Sequence, residues 1–153
     1  MVLVNLSRRD IEYLFTIYEI ELNFGLTKTL QLAKRMNVSP STASAALKRL
    51  SNLGLVRLSY RRGAKLTREG LEIVLDMLWR HGVLEQAFIR MGLNINEACE
   101  VAYRIQHLLP KEALYKICEA LGHPYKCPHG YEIPHPGKLS RKKYEICKPR
   151  TSF

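Results

Sequence analysis

The chain is 153 residues long, with 24 lysines and arginines against 14 acids, a formal charge of +10, 46% apolar residues and 8% aromatic ones. This is enough for one domain or two small ones with a buried core, and it excludes a chain disordered throughout. No apolar run approaches the roughly 20 residues that cross a bilayer, and Met1 to Leu6 lacks the basic and apolar regions of a secretory signal, so a cytoplasmic protein without a membrane partner is expected.

Ser7 and Asp10 have the spacing of a capping box, and Ile11, Leu14, Phe15, Tyr18 and Leu22 follow at helical period, which predicts an amphipathic helix ending near Asn23–Gly25. Thr27 is expected to cap a short second helix with Leu30, Ala33 and Met36 inward and a break at Asn37-Val38. Ser39-Pro40 is a strong helix start, because the serine oxygen caps orphan amides and proline needs no amide partner at the first helical position. The third helix is predicted over 40–53, with Ala46, Leu47, Leu50 and Leu53 buried.

The outer face of that third helix is small, polar and basic: Ser41, Thr42, Ser44, Ala45, Lys48, Arg49 and Asn52. Small side chains let a helix lie deep in a major groove, while lysine and arginine reach phosphates or guanine edges. A strand over 55–60, the basic turn Arg61-Arg62-Gly63 and a return strand over 64–67 make a hairpin beside it. Two short helices, a tight turn and a basic hairpin read as a winged helix-turn-helix. Its candidate DNA contacts are Ser39, Ser41, Thr42, Ser44, Lys48 and Arg49 on the helix and Arg61, Arg62 and Lys65 on the wing.

Charge placement agrees. Residues 1–75 hold twelve cations against six acids, 76–137 six against seven, and 138–153 six against one. From Lys34 to Arg68 there are nine cations and no acid, a one-sided pattern that a polyanion such as DNA rewards through counterion release.

Thr67 can cap a long helix reaching Met91, a further helix starts at Asn94 and ends near Leu109-Pro110, and another spans 111–121 before Gly122 and Pro124. This acid-balanced part has apolar surface enough to pack on itself and on a partner subunit. His81 and Glu85 are i, i+4 on the long helix, and Cys99, Tyr103 and His107 share one face of the next, with Gln106 beside His107. If the two faces meet, imidazole, carboxylate and thiolate give the chemistry of a transition-metal site. An exposed His–Glu pair and a small core cysteine are the alternatives.

Cys99, Cys118, Cys127 and Cys147 contain no C-x-x-C pair and are expected as reduced thiols or metal ligands. The loop 122–137 holds His123, Cys127, His129 and His135 among prolines and glycines, which invites a zinc reading without matching a four-ligand spacing. The tail 138–153, with Lys138, Arg141, Lys142, Lys143, Lys148 and Arg150, reads either as a flexible DNA-binding arm or as a short helix over 140–147.

Leu78-Trp79-Arg80-His81-Gly82-Val83-Leu84-Glu85-Gln86, Glu97-Ala98-Cys99, Gln106-His107-Leu108-Leu109, Leu121-Gly122-His123-Pro124 and Cys127-Pro128-His129-Gly130 together resemble the diphtheria-toxin-repressor and manganese-transport-regulator family, in its short, two-domain form. The resemblance covers about residues 7–135. It implies that Fe(II) or Mn(II), with Co(II) or Zn(II) as substitutes, favours a DNA-binding homodimer on a palindromic operator. By position it implies metal ligands at Glu12, His81, Glu85, Cys99, Gln106 and His107. Tyr103 stands where the family usually has Cys or Glu, and Gln106 replaces a Glu. These departures weaken the nearest site and leave His81, Glu85 and Cys99, with Glu12 or His107, as the alternative cluster.

The expectation is therefore a mainly α protein: a winged helix-turn-helix over 1–70, a helical dimerisation and metal-binding domain over 71–137, and a basic tail over 138–153. It is expected to be a metal-dependent transcriptional repressor of double-stranded DNA. The alternative is a metal-independent winged-helix regulator or architectural DNA-binding protein that has lost the primary metal site. No nucleophile-elbow, P-loop, dinucleotide or zincin motif supports an enzyme or a small organic substrate.

Overall fold

The structure, a computed structural model, describes residues 5–137 and 142–149. Of the basic tail, Lys138, Arg141 and Arg150 lie outside the described residues, as does Ser140, where the alternative helix was expected to start. The chain forms two compact units, the first ending at Val74 and the second beginning at Leu75.

In the first unit α1 (Arg8–Phe24) starts at the capping box: the Ser7 hydroxyl accepts from the Asp10 amide at 3.2 Å, and the Asp10 carboxylate accepts from the Ser7 amide at 2.8 Å. It ends at Gly25, whose φ of +79° needs no side chain to be accommodated. In α2 (Thr29–Met36) the N-cap is Lys28, which gives no side-chain cap, and not Thr27 as the sequence suggested. Thr27 is instead fully buried and exchanges backbone hydrogen bonds with Ala64 at 2.9 and 2.7 Å. That bridge sets the phase of α2, so Leu32 and Ala33 are buried and Leu30, expected inside, is 70% exposed.

The Ser39 hydroxyl caps α3 (Pro40–Asn52) by accepting from the Thr42 amide at 3.1 Å. The buried positions are Ala43, Leu47 and Leu50, an i, i+4, i+7 stripe, so the expected stripe is shifted: Ala46 and Leu53 are only partly covered. The strands β1 (Val56–Ser59) and β2 (Gly63–Leu66) pair antiparallel, with Val56 opposite Leu66 and Ser59 opposite Gly63. Arg61 takes the left-handed conformation that turns the hairpin. The Glu21 carboxylate on α1 accepts from the Leu66 amide and ties the wing to α1; burial raises its pKa, against that hydrogen bond and the Lys65 charge.

The Thr67 hydroxyl starts α4 (Arg68–Arg90) by accepting from the Gly70 amide at 3.1 Å while donating to the Gly54 carbonyl at 2.7 Å. A Cβ at Gly70 would lie 2.1 Å from the Leu55 carbonyl oxygen, so the helix passes the wing only with glycine there.

From Leu75 onward α4 is the axis of the second unit, and every residue from Met77 to Glu85 is buried. It packs with α5 (Ile95–Ile105) and α6 (Lys111–Ala120) around Trp79, Val83, Leu84, Ala102, Leu114 and Ile133. The capping box Asn94–Glu97 starts α5. Its end is held by Arg80, fully buried, whose guanidinium donates to the Gln106 carbonyl at 3.2 Å, to that of Leu109, and to Asp76 at 2.7 Å. Residues 142–149 contain no helical turn, so the helix reading of the tail fails over its described part; the segment carries Cys147 into the core of the unit. Among the described residues no helix is long and apolar enough to cross a membrane.

Candidate metal centre and nucleic-acid interface

The i, i+4 spacing on α4 sets His81 and Glu85 side by side, and the His81 Nε2 proton is donated to Glu85 Oε1 at 2.7 Å. Cys99 on α5 brings its Sγ to 3.6 Å from the same nitrogen. The other ring nitrogen, Nδ1, donates to Gln106 Oε1 at 3.0 Å. Gln106 is buried, and its amide oxygen orients the imidazole.

Two further elements close on the same carboxylate. His129 Nδ1 donates to Glu85 Oε2 at 3.1 Å, and Cys147 Sγ donates to Glu85 Oε1 at 3.1 Å. Ligand atoms of His81, Glu85, Cys99 and Cys147 lie within 4.8 Å of one another, and so do those of Glu85, Cys127, His129 and Cys147. Glu85 and Cys147 thus belong to both sets. Except for the partly covered His129, these side chains are buried, and a cleft of about 380 Å³ lined by Cys99, His129, Tyr131 and Cys147 leads to them.

The ionisable groups of this cluster are strongly coupled. Burial opposes the His81 charge, but hydrogen bonds and charges from Cys99 and Glu85 outweigh it and raise the pKa to about 9. Burial also opposes the Glu85 charge, and His81 reverses this and lowers its pKa. Hydrogen bonding with the neighbouring Cys147 brings Cys99 down to about 5 and Cys127 to about 6, while Cys147, shared among these thiols and Glu85, is raised. Two imidazoles, a carboxylate and three thiols, some already thiolate at neutral pH, suit a divalent transition metal.

Of the other sequence candidates, Glu12 lies on α1 and pairs with Arg8 at 3.3 Å and Arg9 at 2.9 Å. His107 is half-buried at the end of α5, and among the described residues of the second unit it belongs to no convergent ligand set. Tyr103 stands edge-on to His81, ring centroids 6.1 Å apart. Sequence reasoning missed Cys127, His129 and Cys147 as parts of one centre with Glu85. Their residue types were visible, but no spacing template joins a loop, a tail and two helices.

On the first unit, Ser41, Thr42, Ala45, Lys48 and Asn52 are exposed on α3, and Ser44 is half-buried. The Ser39 hydroxyl is occupied by the helix cap and by Ser41 and Thr42 at 3.0 and 2.8 Å. Arg49 makes a two-pronged ion pair with the buried Asp10, at 2.6 and 2.9 Å. Arg61, Arg62 and Lys65 are exposed on the wing, where Arg61 covers the 86% exposed Tyr60 ring at 5.1 Å. Tyr60 is an aromatic at a basic tip that the sequence reading passed over.

A winged helix followed by a helical unit with convergent thiol, imidazole and carboxylate donors defines a class, the metal-dependent transcriptional repressors. The iron dependent repressor N-terminal DNA binding domain matches residues 5–64, and the iron dependent repressor metal binding and dimerisation domain matches residues 67–135. The chain belongs to the iron-dependent repressor family, whose members are transcriptional repressors and not enzymes.

An uncharacterized HTH-type transcriptional regulator of Aeropyrum pernix is 32% identical over 134 residues, 86% of this chain and 74% of that protein. The diphtheria toxin repressor of Corynebacterium glutamicum is 29% identical over 128 residues, 83% of this chain and 56% of that protein, so the chain spans little more than half of its length. The crystal structure of a hypothetical protein from Sulfolobus solfataricus superposes with a TM-score of 0.79 at 32% identity, over 85% of this chain and 100% of that one.

Proposed function

We propose that this protein is a metal-responsive repressor that binds double-stranded DNA as a homodimer on a palindromic operator in the cytoplasm. In this reading 1–70 is the DNA-reading domain and 71–137 the dimerisation and metal domain. The observation that carries it is the convergence of His81, Glu85, Cys99 and Cys147 in a buried centre on α4, the helix whose first turn packs on the wing.

His81, Glu85, Cys99 and Cys147 would hold the ion, with Cys127 and His129 as further donors beside the shared Glu85 and Cys147. The thiols favour Fe(II), Co(II) or Zn(II) over Mn(II), which prefers oxygen donors. A bound divalent ion would supply positive charge to offset Glu85 and the thiolates. The chain's own residues do the rest: Gln106 presents the His81 ring, and Arg80 fixes the end of α5 that carries Gln106. On the DNA side, Ser41, Thr42, Ser44 and Lys48 read the major groove, and Arg61, Arg62 and Lys65 hold the backbone.

The test is fluorescence anisotropy of the full chain on duplex DNA from its own promoter, titrated in Fe(II), Mn(II), Co(II) or Zn(II) and separately in chelator. Tightening of tenfold or more with a metal supports the reading, corresponding to about 1.4 kcal/mol of coupling. Equal sequence-specific binding in chelator refutes metal control and leaves a metal-independent regulator.

A further inference from the structure

A second group of ligand-type side chains lies in the same unit and shares no residue with the centre on α4. Cys118, His123 and His135 bring one ligand atom each to within 4.8 Å of the others. The sequence places these histidines in a loop without a four-ligand pattern, and offers Cys118 as a reduced thiol or a metal ligand without joining it to them.

The local backbone explains how they meet. Cys118 is buried in the last turn of α6, which closes in a Schellman motif: the His123 amide donates to the Cys118 carbonyl at 2.9 Å and the Gly122 amide to that of Glu119 at 2.9 Å. Gly122 and His123 both take the left-handed conformation, at φ +76° and +54°. For glycine this is free; for histidine it is uncommon and costs free energy. The turn sets His123 Nδ1 3.5 Å from Cys118 Sγ.

The chain then turns back. Lys126 bridges Glu132, the Ile133 amide donates to the Tyr125 carbonyl at 2.9 Å, and His135 returns beside His123 with ring centroids 6.3 Å apart. His135 Nε2 donates to the Pro124 carbonyl at 3.1 Å. A neutral histidine with that bond carries its lone pair on Nδ1, the arrangement by which main-chain carbonyls orient metal-binding imidazoles.

We propose that Cys118, His123 and His135 form a separate site for a Zn(II)-class ion, with three protein ligands and a fourth position open to water through the exposed His123. The ion replaces the thiol proton of Cys118 and joins the end of α6 to the return of the 124–135 loop. Because that loop carries Cys127 and His129, the site acts as a clamp that positions them. It would exist equally in a chain that binds no DNA, so its test is independent of repression.

The experiment is an equilibrium Zn(II) titration of the reduced, metal-free full chain against a chromophoric chelator, with a parallel Co(II) titration followed by thiolate-to-cobalt absorption. His123→Asn is the main variant, since asparagine accepts the left-handed backbone and the position is exposed. Cys118→Ser is the second, and helix content by circular dichroism checks that each is folded. The wild-type chain is expected to take up one equivalent more than His123→Asn, or to bind one equivalent at least tenfold more tightly, with the thiolate band of that equivalent lost in Cys118→Ser. If every equivalent binds within tenfold in wild type and His123→Asn, the site is overturned.

Discussion

Cys147 Sγ donates to Glu85 Oε1 at 3.1 Å across 62 residues of sequence, which sets a residue of the tail segment on the carboxylate of a buried mid-chain helix. The segment at 142–149 therefore completes the centre. Cys147→Ser, which keeps a donor to Glu85 but removes the thiolate, is expected to weaken Co(II) or Zn(II) binding at the α4 centre at least tenfold, about 1.4 kcal/mol, and to lower the thiolate-to-cobalt absorption. An unchanged affinity would make Cys147 a core residue only.

Metal uptake at this centre is expected to release protons. His81 is held as an imidazolium up to about pH 9 and Cys147 keeps its proton, so both must deprotonate to become ligands. Metal affinity should rise with pH from 6 to 9, and calorimetry in buffers of different ionisation enthalpy should count the protons. For the metal-free fold the sign is opposite. A pKa raised above the unfolded value of 6.5 gives stability that is full below pH 6.5 and is lost as pH rises through 9. His81→Gln should flatten that loss, as read by thermal melts in chelator.

Gly82 offers a steric test of the loop. A Cβ there would come 2.5 Å from Ile133 Cγ1, so Gly82→Ala should push the 127–133 loop away from α4. Metal affinity at the α4 centre should fall tenfold or more and recover in the Gly82→Ala, Ile133→Ala double variant. Failure of the second change to rescue the first would separate the loop from the centre.

Arg49→Ala should destabilise the first unit as well as weaken DNA binding, because Asp10 is left buried with its charge unpaired. Arg49 is half-exposed, and solvent screening limits the loss to about 1 kcal/mol. Asp10→Asn should lower stability without that loss being additive with Arg49→Ala. Urea denaturation of the two single variants and the double variant gives the coupling.

On the wing, Arg61→Ala with Arg62→Ala should reduce the slope of log K against log salt by about 2 if each holds one phosphate. An unchanged slope would remove both from the backbone contacts. Lys48→Ala gives the same measurement on the helix.

Where signals are local, the sequence was a sufficient guide. The Ser7–Asp10 box, the Ser39-Pro40 start, the wing and the helix start at Asn94 all lie where the sequence predicts, because a cap is decided within four residues. Errors came where distant pairing governs. Thr27 looks like a cap until Ala64 claims its backbone, and that bridge turns Leu30 outward.

The centre divides in the same way. His81 with Glu85, and Cys99 on the facing helix, could be read from helical periodicity. The contributions of Cys127, His129 and Cys147 depend on how a loop and a tail return to α4, which no period encodes. Gln106 was legible as a position and not as a role, since a glutamine that ligates and one that orients a histidine are the same letter.

The Arg49–Asp10 pair has a consequence for selectivity. Towards Arg49, Asp10 behaves as a resident stand-in for nucleic acid, a planar pair of oxygens meeting a planar fork of donors. If Arg49 faces DNA as proposed, DNA would not meet a free guanidinium there; it would have to trade one anion for another. A single phosphate oxygen offers less than Asp10 already provides, whereas the paired acceptors of a guanine edge offer a comparable geometry. On that reading the exchange would discount random DNA more than an operator, with a carboxylate inside the fold as the standard against which each sequence is compared.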